Sequence, residues 1–169
     1  GQTATIEIEI ARRDVYQGRV TLDFKLRHLG AMFGDPLPAV VLMPMLSRDD
    51  ANNDIAGATR AITRLALERV REWLADDRFA TAKLVVVTRG AIAIGVEDVK
   101  DLEQAGVWGL LRTAQTENPG RFVVVDVDGE AQSGRLLAAA LGTGESQVVV
   151  RAGEVFVPRL ARVDQVRTE

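Results

Sequence analysis

Short apolar runs alternate along the chain with longer stretches that carry apolar residues at helical spacing. Thr3 to Ile10 (TATIEIEI) alternates strictly, with Ile6, Ile8 and Ile10 on one face and Glu7 and Glu9 on the other. That pattern predicts a half-exposed strand near a sheet edge. Arg19 to Phe24 reads as a weaker second strand, and Leu26 to Met32 as a short helix. Pro36 and Pro38 precede Ala39 to Met43 (AVVLM), a buried third strand closed by Pro44. A polar loop, Ser47 to Asn53, is suited to cap the helix predicted over Asp54 to Ala75. The apolar stripe of that helix is Ile55, Ile62, Leu65, Ala66, Val70, Trp73 and Leu74, while Arg60, Arg64, Arg71 and Glu72 face water.

The centre of the chain repeats the scheme. Leu84 to Thr88 is rich in β-branched residues, as expected of a strand buried on both faces. Val99 to Gln115 places Leu102, Ala105, Val107, Leu110, Leu111 and Ala114 at helical spacing, and Asn118-Pro119-Gly120 stops the helix before a second buried strand, Phe122 to Val127. A further helix is predicted over Ala131 to Leu141, ended by Gly142. Gln147 to Arg151 and Glu154 to Val157 then form a hairpin across Ala152-Gly153, and a charged tail leaves the domain from Ala161. The order βββαβαβαββ predicts an open, mostly parallel α/β sheet of Rossmann type, flanked by helices and ending in a C-terminal hairpin.

Composition narrows the chemistry. At 169 residues with a net charge of −3, the chain fits one domain and offers no basic footprint for nucleic acid or for a membrane surface. Cysteine is absent, which removes disulfides and thiolate chemistry. No apolar run reaches the roughly 18 residues of a membrane span, and no basic-then-apolar leader opens the chain, so the expected compartment is the cytoplasm.

A dinucleotide site in such a fold demands glycines in the first strand-to-helix turn, where backbone approaches a pyrophosphate. Gly90 to Gly95 reads GAIAIG, with Ile92 where a second glycine belongs. Gly142-Thr143-Gly144 follows a helix and precedes a strand, on the wrong side for that turn, and Met43 to Leu46 has no glycine. No Gly-Lys-Ser/Thr occurs. The only tyrosine, Tyr16, lacks a lysine four residues on, and the only histidine, His28, has no Ser or Cys beside it. No catalytic, cofactor-binding or metal-ligating residue is therefore assigned. Asp126 and Asp128, at a strand end where open α/β sheets place ligands, are candidates for a degenerate nucleotide or enzymatic site, set against ordinary turn chemistry at Asp128-Gly129. Arg89 reads either as an anion binder or as the partner of an acid or carbonyl. Trp73 and Trp108 read as core or as partner contacts, since Trp is enriched at interface hot spots.

Four segments carry a family resemblance: Trp73 to Phe79 (WLADDRF), Leu84 to Ala91 (LVVVTRGA), Ala105 to Gln115 (AGVWGLLRTAQ) and Asn118 to Phe122 (NPGRF). In this order they resemble the N-terminal structural subdomain of ketoreductases from modular type I polyketide synthases, and Val155 to Arg162 (VFVPRLAR) resembles the way that subdomain ends. The resemblance covers Ala39 to Val163. Residues 1–38 match weakly, with TIEIEI standing where family members have a Tyr-Arg-Val-x-Trp-like strand. It implies a structural subdomain over residues 1–163 with an exit linker at 164–169. It also implies a truncated Rossmann-like fold without cofactor or catalytic residues, packed against a catalytic half that binds NADPH and reduces a β-ketoacyl group on an acyl carrier protein. Neighbouring synthase domains, an enoylreductase among them, are further implied partners. On this reading Trp108, Leu111, Arg112 and Gln115 on the central helix, with Trp73, are expected at the subdomain interface. An interaction domain pairing through its first strand is a third reading.

Overall fold

The computed structural model of the chain describes residues 15–16, 19–20, 39–45 and 54–160. The expected first strand over Thr3 to Ile10, the short helix over Leu26 to Met32, the polar loop Ser47 to Asn53 and the tail from Ala161 lie outside the described residues. Of the second expected strand, Arg19–Val20 is described: it is β2, antiparallel to β1 (Val15–Tyr16).

The main sheet has five strands in the order of the chain: β3 (Val40–Pro44), β4 (Lys83–Arg89), β5 (Phe122–Val127), β6 (Gln147–Arg151) and β7 (Glu154–Phe156). The first four are parallel, and β7 returns antiparallel. Their valine-rich sequences follow from this placement, since a strand covered on both faces has no position for a polar residue to reach water. Register pairs Leu42 with Val85, Val86 with Val124, and Val125 with Val148. The hairpin turn holds Ala152 at φ 49° and Gly153 at φ 80°, the paired positive values that match the twist of two-residue hairpins.

Helix α1 (Ile55–Ala75) is capped by Asp54, whose Oδ1 accepts from the Gly57 N–H at 2.8 Å. Its buried stripe is narrower than predicted: Ala66, Val70 and Trp73 are interior, whereas Ile55 and Leu65 are 49% and 39% exposed. A short 3₁₀ turn, Asp77–Phe79, then stacks Phe79 on Trp73 with ring centroids 4.5 Å apart. Helix α2 (Leu102–Glu117) starts later than its apolar periodicity suggests, because Asp101 caps it by accepting from the Gln104 N–H at 3.2 Å. The two helices lie on each other across Gly106, where a Cβ would stand 2.7 Å from Thr63 Oγ1.

The helix predicted over Ala131 to Leu141 is two short ones, α3 (Ala131–Arg135) and α4 (Leu137–Gly142). The Ser133 hydroxyl donates to Asp128, which ties the first turn to the end of β5, and Gly134 weakens the helix at the break. Past the bend, Leu136, Leu137, Ala140 and Leu141 meet the sheet.

Alternate residues of each strand enter separate cores. Val41, Met43, Leu84, Val86, Phe122, Val124 and Val149 face α1 and α2 with Trp73 and Trp108. Val85, Val123, Val125, Val148 and Val150 pack with the residues of α4. The connection from β5 to β6 thus steps across the sheet in the same direction as the two before it, but over the other face. It has the opposite hand to theirs, an uncommon arrangement among parallel crossovers.

Candidate functional site

Open α/β sheets receive ligands at the carboxyl ends of their strands. In this chain that edge is built from Thr88 on β4, Asp126 on β5 and Arg151 on β6. Register sets Thr88 beside Asp126, and the period-two alternation of β5 and β6 turns Asp126 and Arg151 toward the same face. Thr88 and Asp126 are fully buried, and the Arg151 side chain is 8% exposed.

The carboxylate of Asp126 is surrounded by donors. Oδ1 accepts from the Thr88 hydroxyl at 2.6 Å and from the Ala91 N–H at 2.9 Å. Oδ2 accepts from Arg151 Nη2 at 2.5 Å and from the Ile92 N–H at 3.4 Å. Thr88 in turn accepts from the Trp108 indole N–H at 2.9 Å, so a buried chain of hydrogen bonds runs from α2 through β4 and β5 to β6. Arg151 spends its remaining donors on the carbonyls of Ile92, Val150 and Asp126 and on Glu97. A buried ion pair tolerates desolvation only when its other lone pairs and protons are satisfied in this way.

These bonds fold the connection between β4 and α2 back over the strand ends. Gly90 adopts φ 71°, a value that favours glycine. Its N–H donates to Val127 O, and its carbonyl accepts from the N–H groups of Lys100 and Asp101. Gln104, fully buried, brackets the main chain of Arg89 by accepting from its N–H at 2.9 Å and donating to its carbonyl at 3.4 Å.

Asp128 is a turn residue. Its Oδ1 accepts from the Glu130 N–H, and its Oδ2 accepts from the Ser133 hydroxyl and from the Ala152 N–H at 2.7 Å, linking the end of β5 to the hairpin. Partial burial pushes its carboxyl up, but these hydrogen bonds to the ionised form outweigh burial and hold it below the usual carboxylate range. Both acids singled out from the sequence are therefore engaged by the chain's own donors. Among the described residues, no group of three or more His, Cys, Asp or Glu is placed to hold a metal ion.

The residues expected to meet a partner need correction. Trp108, Leu111 and Trp73 are 2%, 0% and 0% exposed and lie in the core between the sheet and the α1–α2 layer, so no part of them is left for another domain. Arg112 and Gln115 are on the accessible flank of α2, where both reach toward the start of β6. Arg112 Nε donates to Gln147 Oε1 at 3.0 Å and its guanidinium lies 5.8 Å from the Trp108 ring centroid, while Gln115 Nε2 donates to Ser146 O at 2.6 Å. Arg89 is an exposed side chain lying against Gly129. Thr88, Gln104 and Arg151 are central to the site and were not singled out from the sequence. The available signal was an arginine ending an all-valine run in register with a strand that carries an aspartate.

A family model described as the Rossmann fold domain of the polyketide synthase extender module SpnB matches residues 4–160. The chain belongs to this family. Curated relatives agree. Polyketide synthases GfsE and GfsB of Streptomyces halstedii are 53% and 54% identical over 79% and 78% of the chain. Mycoketide-CoA synthase of Mycobacterium tuberculosis is 44% identical over 74% of it. The chain spans 4%, 2% and 3% of the lengths of these three proteins. The Rossmann domain of an extender module here has its strand ends closed by its own side chains, and no helix among the described residues is long and apolar enough to cross a membrane.

Proposed function

We propose that the chain is a non-catalytic structural subdomain of a polyketide synthase ketoreductase. It packs against and stabilises a catalytic half that binds NADPH and reduces β-ketoacyl groups carried on an acyl carrier protein, or it braces neighbouring domains of the module. One observation carries this reading. The carboxyl edge of the sheet, where this architecture takes a dinucleotide, is occupied by the Asp126–Arg151 pair and the Gly90 to Lys100 connection. The turn into α2 supplies no glycine pair to admit a pyrophosphate. A degenerate nucleotide site at Asp126 and Asp128 finds no support, because the oxygens it needs are bound internally. With the two tryptophans in the core, the face of α2 left to a partner carries Leu102, Gly109, Arg112 and Thr113, all exposed.

Titration of this chain with NADPH, followed by the fluorescence of the cofactor, tests the reading. Absence of saturable binding up to about millimolar, the weak end of useful affinity, is the expected result. Micromolar binding overturns it and makes the domain a dinucleotide site in its own right.

A further inference from the structure

The donors around Asp126 form a more specific arrangement than a salt bridge. Gly90, at φ 71°, redirects the backbone so that the consecutive N–H groups of Ala91 and Ile92 both donate to one carboxylate. Successive N–H groups converging in this way make anion-binding concavities. The Thr88 hydroxyl and Arg151 Nη2 complete the set, and Thr88 is itself oriented by the Trp108 N–H. A hydroxyl, two main-chain amides and a guanidinium, drawn from three segments, thus enclose a single oxyanion at the carboxyl end of β4 and β5.

We propose that Thr88, Ala91, Ile92 and Arg151 constitute a binding site for a small carboxylate-class oxyanion, and that the chain's own Asp126 occupies it. Asp126 is the resident ligand of a site whose framework is also held by bonds to other residues. Gly90 is held by Val127, Lys100 and Asp101, Thr88 by β4 and Trp108, and Arg151 by the carbonyls of Ile92 and Val150. Removing the carboxylate strands these donors in a buried space with the dimensions of the deleted group, and buried donors without acceptors favour any small anion that fits. Formate carries the same CO2 group that Asp126→Ala deletes.

The test uses the intact synthase polypeptide carrying this chain, with hydrogen exchange read on peptides covering residues 88–97. In the unaltered protein, exchange there is slow and formate leaves it unchanged. In Asp126→Ala, exchange at Ala91 and Ile92 rises by roughly tenfold or more through local opening. Formate in the millimolar range restores protection saturably, whereas chloride at equal ionic strength does not. The double variant Asp126→Ala with Arg151→Met shows no response to formate. Protection that formate fails to restore, or that chloride restores equally, overturns the proposal. If Asp126→Ala is not recovered folded, Asp126→Asn keeps the shape and removes the charge. A rise confined to residues 90–97 then supports the assignment, while unchanged exchange at Ala91 and Ile92, or an equal rise in peptides from β5, overturns it. The outcome is independent of whether the domain braces a catalytic half, so the two readings fail separately.

Discussion

At the scale of single residues, burial separates charges of similar appearance. Arg151 and Asp126 are interior, whereas Glu97, 3.4 Å from Arg151, is 40% exposed. Arg151→Met leaves a buried carboxylate without its cation and is expected to cost about 3–5 kcal/mol. Glu97→Gln, at the solvated arm of the same network, is expected to cost less than about 1 kcal/mol. Urea denaturation of the two variants checks the contrast, and equal losses would mean that the pair is not the anchor. Asp128 gives a prediction in pH. Its folded carboxyl titrates below the ordinary 3.8, so its contribution is fully present above that value and is lost as pH falls through the folded pKa. Asp128→Asn should therefore cost stability at neutral pH and lose that disadvantage at acid pH, which denaturation midpoints measured at both ends of the range will show. Asp126 and Asp128 were legible in the sequence as acids at a strand end. Their partners were not, because a hydrogen bond between residues 25 apart depends on register, and a run such as FVVVDV fixes its own register only once a neighbour is chosen.

Elements were more legible than their ends. The valine-rich strands were readable as short β-branched runs bounded by turn residues, and the two long helices because a period near four is set by backbone geometry alone. The start of α2 and the break between α3 and α4 were not, since capping by Asp101 and the Ser133–Asp128 bond override apolar periodicity. The α1–α2 seam supplies the prediction at this scale. Thr63 Oγ1 is buried without a hydrogen-bond partner and stands where a Cβ on Gly106 would go. Gly106→Ala alone gains helix propensity of about 1 kcal/mol but crowds Thr63, so little net change or a modest loss is expected. Thr63→Ala removes both the orphaned hydroxyl and the nearer obstruction, leaving Thr59 Cγ2 3.2 Å from the added methyl. The double variant is expected to exceed the original chain in stability by about 1 kcal/mol, with a favourable coupling in the double-mutant cycle. Additive effects would show that the seam relaxes around the added methyl.

For the whole molecule, fold class and family were readable from the sequence, and so was the lack of a glycine-rich phosphate turn. The physical form of that lack was not: a missing motif does not say that a carboxylate and a guanidinium fill the strand ends. The tryptophans show the same limit, because a helix stripe says that Trp108 is apolar in context and not which apolar surface receives it. The strand order has a consequence for biosynthesis. From β4 to β7 every strand pairs with the one made immediately before it, so among the described residues no strand of this sheet has to be inserted between two already in place. About 40 residues separate the end of β3 from the start of β4, which at ribosomal speeds is about 2–8 s, ample time for the first helix to form before β4 emerges, whereas β7 follows β6 after only Ala152 and Gly153 and joins with it as a hairpin. The five-stranded sheet is thus complete once the hairpin of β6 and β7 closes on β5.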